Sequence, residues 1–155
     1  MKLLREVYSF PATFELGDDG EYGVYFHDIP GMTSGGTDLE KAKKNVVEGL
    51  AAHLCLMIET GYEIPEASRI EDVPLDDGET VFPVTVTLDD IREAFIEAHR
   101  VSPEVRSSAV QFPLPDRKIA EIAQKLGVPF SDLCDLSGAS VCFAQACSEV
   151  LTAAK

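Results

Sequence analysis

Carboxylates are the reactive side chains that this sequence supplies in bulk. Its 155 residues hold 27 Asp and Glu against 13 Lys and Arg, a formal net charge of −14. Acids in such excess can do two kinds of chemistry. Three or four of them converging on divalent cations would make a nuclease-type centre. Asp28 and Glu48 are available for that, with Glu15 as a third, yet nothing in their spacing brings them together. Spread over a surface instead, acids attract a basic partner by electrostatic complementarity. The same charge repels phosphates, which argues against non-specific nucleic-acid binding by the whole molecule. It also serves plain solubility.

No second reactive set competes with the acids. Cys55, Cys134, Cys142 and Cys147 lack C-x-x-C spacing, and His27, His53 and His99 form neither H-x-x-x-H nor H-E-x-x-H. No metal and no cofactor is expected from such spacings. The thiols read as reduced and buried, in keeping with a cytosolic protein. There is no apolar run of about 18 residues to span a membrane, and Met1–Glu6 lacks the apolar core of a secretory signal. The expected location is the cytoplasm.

The elements that must position the acids are legible from periodicity. Phe10, Ala12, Phe14 and Leu16 alternate with Pro11, Thr13 and Glu15, and Tyr22, Val24 and Phe26 resume the alternation after Gly17-Asp18-Asp19-Gly20. A period of two around such a turn predicts a β-hairpin. Pro30-Gly31 suits a type II turn, and residues 32–36 make a short third strand weakened by two glycines. Thr37 and Glu40 have the spacing of a capping box. They open a long helix whose apolar face runs through Leu39, Ala42, Val46, Leu50 and Leu54, with Gly61 as its C-terminal stop. Lys41, Lys43 and Lys44 near its start form either a solvated face or a partner contact.

An acidic, turn-rich stretch (66–79) leads to a strand over 81–86, in which Pro83 demands an edge or a bulge. Thr87-Leu88-Asp89-Asp90 is a second capping box for a helix ending near His99. The predicted class is therefore α+β: a β-β-β-α-β sheet with a helix on one face (1–87), followed by an α-helical region (88–155).

In that region Ile119–Gly138 fits a helix-turn-helix in its buried positions, Ile122, Ala123, Leu126, Val128, Leu133 and Leu136, with Gly127 at the turn and the small Ala123 allowing close crossing. The template spans about 116–138. A ribbon strand over Val110–Leu114 is the other parse, and its prolines rank it lower. Exposed positions on the second helix (Phe130, Ser131, Asp132, Cys134, Asp135, Gly138) include none of the Arg, Lys, Asn or Gln that read base edges. Residues 101–155 carry 5 basic against 6 acidic side chains, no electrostatic footprint for DNA. Lys125 and Ser131 are the residues left to touch it. An apolar stretch over about 141–153 suits a helix–helix interface, so oligomerisation or partner docking is favoured for this region over operator binding.

The first 60 or so residues resemble the HicB antitoxin family. The resemblance rests on Phe10-Pro11-Ala12-Thr13-Phe14, Tyr22-Gly23-Val24-Tyr25-Phe26 and Asp28-Ile29-Pro30-Gly31. It continues through Gly36-Thr37-Asp38-Leu39-Glu40-Lys41-Ala42 and Gly61-Tyr62-Glu63-Ile64-Pro65-Glu66-Ala67-Ser68. His27 departs from the proline more usual before the aspartate. The resemblance implies a truncated ribonuclease-H-like fold and a non-enzymatic role. It implies too a HicA-like toxin partner, small and basic, that cleaves messenger RNA. It further implies a DNA-binding C-terminal module for autoregulation. Glu15, Asp18, Asp19, Glu21 and Asp28, in or beside the hairpin, are the candidate toxin contacts; as a solvated edge they would instead guard the hairpin from aggregation. The competing functions are a stand-alone homo-oligomeric binding protein without a toxin and, less favoured, the metal-dependent nuclease.

Overall fold

The computed structural model describes residues 4–99, 116–133 and 148–153. Contacts divide the chain into two compact units, 1–91 and 92–155. The first contains β1 (Val7–Leu16), β2 (Tyr22–Tyr25), β3 (Thr33–Gly36), α1 (Leu39–Thr60) and β4 (Glu79–Thr87). Its strands form one antiparallel sheet in the order β3-β2-β1-β4. α2 (Leu88–His99) carries the chain from the first unit into the second. This is the α+β class expected, with helices following the sheet.

Strand alternation separates the sheet into two faces. Tyr8, Phe10, Ala12 and Phe14 of β1 share one with Val24, Val84 and Val86, all buried. α1 packs on that face through Ala42, Val46, Leu50, Leu54 and Ile58. Burial of each large side chain there contributes about 1.5–3 kcal/mol, and Phe14 meets Phe82 edge to face at 5.2 Å. Gly36 is obligatory beneath α1, because a Cβ there would overlap the backbone of Lys41 and Ala42.

The turns follow their sequence chemistry. Met32 N–H donates to Ile29 C=O at 3.2 Å with Gly31 at φ 86°, the type II turn expected of Pro30-Gly31. α1 stops at Gly61, φ 78°, with Schellman-type bonds to Ile58 and Met57. β4 lies at a sheet edge, as Pro83 requires. Pro83 stands opposite Pro11 of the central strand. Neither has an N–H, so the two cannot exchange bonds and must form a non-hydrogen-bonded pair. β2 has already ended before the position across from Pro11, so no ladder bond is lost there either.

One capping prediction fails and one holds. Thr37 and Glu40 do not form a box: Asp38 is the N-cap, accepting from Lys41 N–H at 2.9 Å. Shifting the start by one residue puts a carboxylate at the positive end of the helix dipole, and leaves Lys41 rather than Glu40 at the third helical position. Glu40 instead lies 4.0 Å from Lys43, and Thr37 accepts from the Lys41 ammonium at 3.1 Å. At α2 the reciprocal box is complete. Thr87 Oγ1 accepts from Asp90 N–H at 3.2 Å, and the Asp90 carboxylate accepts from Thr87 N–H at 2.7 Å.

The second unit contains α3 (Asp116–Leu126), α4 (Phe130–Leu133) and helical residues 148–153. Ile119, Ala120, Ile122, Ala123, Leu126, Val128 and Leu133 are buried. Gly127, φ 71°, ends α3, and Arg92 Nε caps it by donating to Leu126 C=O at 2.6 Å. Of the expected 141–153 helix, residues 148–153 are described, with Val150 buried and Leu151 exposed. The ribbon parse at 110–114, Leu136, and the positions Cys134, Asp135 and Gly138 lie outside the described residues.

Candidate partner-binding site

The sheet face turned away from α1 collects the chemistry. From β1 it carries Ser9, Pro11, Thr13 and Glu15; from β2, Gly23 and Tyr25; from β4, Glu79, Val81, Pro83 and Thr85. Register puts Glu15 directly across from Glu79 on one side and from Gly23 on the other. It puts Thr13 between Tyr25 and Val81 in the next row. Two glutamates are thus in register on adjacent strands.

Glu79 is held in place from two sides. Its Oε1 accepts from the Tyr25 hydroxyl at 2.8 Å, and its Oε2 accepts from Asp76 N–H at 2.7 Å. These bonds, the backbone one foremost and with help from the nearby His27, hold the Glu79 carboxyl below the usual carboxylate range. The same hydrogen bond raises the Tyr25 phenol above its ordinary value. His27 packs edge-on against the Tyr25 ring at 5.2 Å. Beside them Thr13 is fully buried, and its hydroxyl, close to the Tyr25 oxygen, offsets part of that rise.

The residues singled out from sequence fall into two groups. Glu15, Asp18 and Glu21 are exposed at the end of the β1–β2 hairpin, and among the described residues none of their carboxylates has an ion-pair or hydrogen-bond partner. Asp19 shapes the hairpin loop, accepting from Glu21 N–H at 3.0 Å. Asp28 lies in the β2–β3 connection, where its two oxygens accept from the N–H and the hydroxyl of Ser68. It fastens the stretch after α1 to the sheet. Sequence reasoning did not single out Tyr25 or Thr13 and held Glu79 only as part of the acidic 71–79 loop, where toxin contacts were also expected; the hairpin alternation places the first two on one face, but nothing local pairs β4 with β1.

The nuclease arrangement has no geometric support. Asp28 is bonded to Ser68, Glu15 is on the far face, and Glu48 stands on α1 across the sheet from it. Among the described residues no group of three His, Cys, Asp or Glu could hold a metal ion. Cys55 is buried, and burial pushes its thiol up to about 12, so it is an inert core residue. Among the described residues no helix is long and apolar enough to cross a membrane.

Residues 10–102 match the family model described as the HicB-like antitoxin of bacterial toxin–antitoxin systems. The chain belongs to that family. Its assignment is to antitoxins, not to enzymes. No curated protein matches the HicB-like chain significantly. Among solved structures, it is similar to the N-terminal domain of the Burkholderia pseudomallei antitoxin HicB, at 31% identity over 51% of this chain and 98% of that one, TM-score 0.46. It is similar to the longer Burkholderia pseudomallei antitoxin HicB structure at 21% identity, covering 94% and 98%, TM-score 0.49. A toxin–antitoxin complex from Streptococcus pneumoniae aligns at 17% identity over 96% and 99% of the two chains, TM-score 0.53, a likeness of fold.

Proposed function

We propose that this HicB-like chain neutralises a small, basic, HicA-like messenger-RNA-cleaving toxin by covering the surface with which that toxin grips RNA. The observation that carries the reading is the set of exposed carboxylates without partners at the hairpin end, Glu15, Asp18 and Glu21, close in the sheet to Glu79. A protein that holds RNA must present cations, and an acidic partner competes for that surface by complementarity. The family assignment and the complex found in Streptococcus pneumoniae agree with it. Asp19 and Asp28, which serve the fold, are secondary contacts in this reading.

Co-expression with a basic reading frame neighbouring the gene tests it. Rescue of growth together with co-purification at moderate salt is the expected result. A partner that is toxic yet neither rescued nor retained would remove the reading and leave the stand-alone oligomeric protein.

The second unit serves assembly or docking rather than operator recognition in this account. Lys125 and Ser131 are both exposed, but exposed Asp132 follows Ser131 and would face phosphates. A gel shift on the upstream DNA should show no retardation at low salt; a shift abolished by Lys125→Ala would restore autoregulation. Sedimentation of the full chain should show a homo-oligomer.

A further inference from the structure

On the α1 side of the sheet one groove stays open. It lies between α1 and the edge strand β4, with Phe14, Phe82 and Val84 below, Val46, Val47 and Lys43 along one wall, and a volume of about 280 Å³. Phe82 is half-buried there, and the Lys43 ammonium sits 4.6 Å from the centre of its ring. Lys43 is the one charged side chain among those lining the groove. Its ion-pair neighbour Glu40 stands 4.0 Å off and is 88% exposed, so the ammonium is open to a second carboxylate. An added strand does not fit this edge. Pro83, in its non-hydrogen-bonded pair with Pro11, turns its backbone outward and has no N–H to offer. The occupant therefore enters by a side chain: an apolar one, with an acid close by to meet Lys43.

The chain carries that combination on the same face. Leu16 follows Phe14 by two residues in β1, so it is on the α1 side, about 7 Å further along the strand. It is 54% exposed. Asp18, two residues beyond it in the hairpin loop, is exposed, and among the described residues its carboxylate has no partner. An apolar anchor with its acid thus stands beside an apolar receptor with its cation. Such a surface is self-complementary about a two-fold axis. We propose that this groove is an interface between two copies of the chain, Leu16 of each seated against Phe82 of the other and Asp18 of each paired with Lys43 of the other. The inference goes beyond the antitoxin reading and leaves Glu15, on the opposite face of the sheet, to the toxin.

Sedimentation of the full chain over a range of concentration and salt tests the contact. Self-association should weaken as salt rises. Lys43→Glu and Asp18→Lys should each raise the dissociation constant of the self-association step about tenfold or more, by placing like charges together. The two combined should restore it, a recovery that a merely misfolded variant would not show. Lys44→Glu, an exposed neighbour that does not line the groove, makes the same change in net charge and should shift the constant less than about twofold. A chain that stays monomeric throughout, or assembly unchanged in both single variants, would overturn the interface. No recovery in the double variant, or an equal loss in Lys44→Glu, would overturn it in favour of general charge. Loss of toxin binding in Lys43→Glu with self-association intact would overturn it by giving the groove to the toxin.

Discussion

The two faces of the sheet are built from the same alternating strands and do opposite things. The face under α1 is filled by Phe10, Phe14, Leu50 and Leu54, buried to within 2% exposure or less. The far face has small or polar residues, two prolines and two glutamates in cross-strand register. One face holds the fold together where α1 covers it. The other carries exposed carboxylates and the Tyr25–Glu79 hydrogen bond, groups of the kind that meet a charged partner. In the proposed reading, stability and toxin recognition are separated by the thickness of one strand layer.

Substitutions at equivalent depth on the two faces should therefore diverge. Phe14→Ala, under α1, should cost about 3–5 kcal/mol in urea unfolding. Thr85→Ala, across the sheet and exposed, loses one surface hydrogen bond to Ser9 and should cost about 1 kcal/mol or less. Similar losses for both would erase the distinction. Two glycines sharpen it: Gly36→Ala should cost about 3 kcal/mol by forcing α1 off the sheet, whereas Gly23→Ala has open space and should stay within about 0.5 kcal/mol.

Titration separates the faces in a second way. The Tyr25 phenol, raised by its bond to Glu79, should titrate above the ordinary phenol range in ultraviolet difference spectra, and Glu79→Gln should bring it back. The raised value makes this contribution to stability complete below the ordinary phenol range, with loss as pH climbs through the elevated pKa. For Glu79 the sign is reversed. Its depressed pKa gives stability that is complete above the ordinary carboxylate range and is lost as pH falls through the lowered value, so Glu79→Gln should flatten the acid limb of the stability profile. The covered side shows no such chemistry: Cys55 should stay unalkylated by iodoacetamide at pH 8 in the native protein and react once unfolded.

The contrast also explains what was legible in the sequence. Phe10, Phe14, Val24 and the α1 face announce themselves because burial imposes a period that a single strand or helix displays. The Pro30-Gly31 turn and the Gly61 stop are local chemistry, read the same way. The α1 start was off by one residue because Thr37 and Asp38 are adjacent capping residues, and the choice between them depends on where the helix sits on the sheet. Glu15 could be picked out as acidic and exposed, but its pairing with Glu79 is set by a contact between strands more than sixty residues apart. Asp28 was equally eligible in sequence, and only Ser68, forty residues on, shows that its carboxylate is engaged.

The most direct test of the account is the affinity of the co-expressed toxin for two charge variants measured side by side by calorimetry. Glu15→Gln on the far face should weaken binding about tenfold or more, and Glu48→Gln on α1 should leave it within about twofold, as expected of a surface charge outside the interface. Loss of affinity in Glu48→Gln with Glu15→Gln unchanged would place recognition on the helix side and contradict the account.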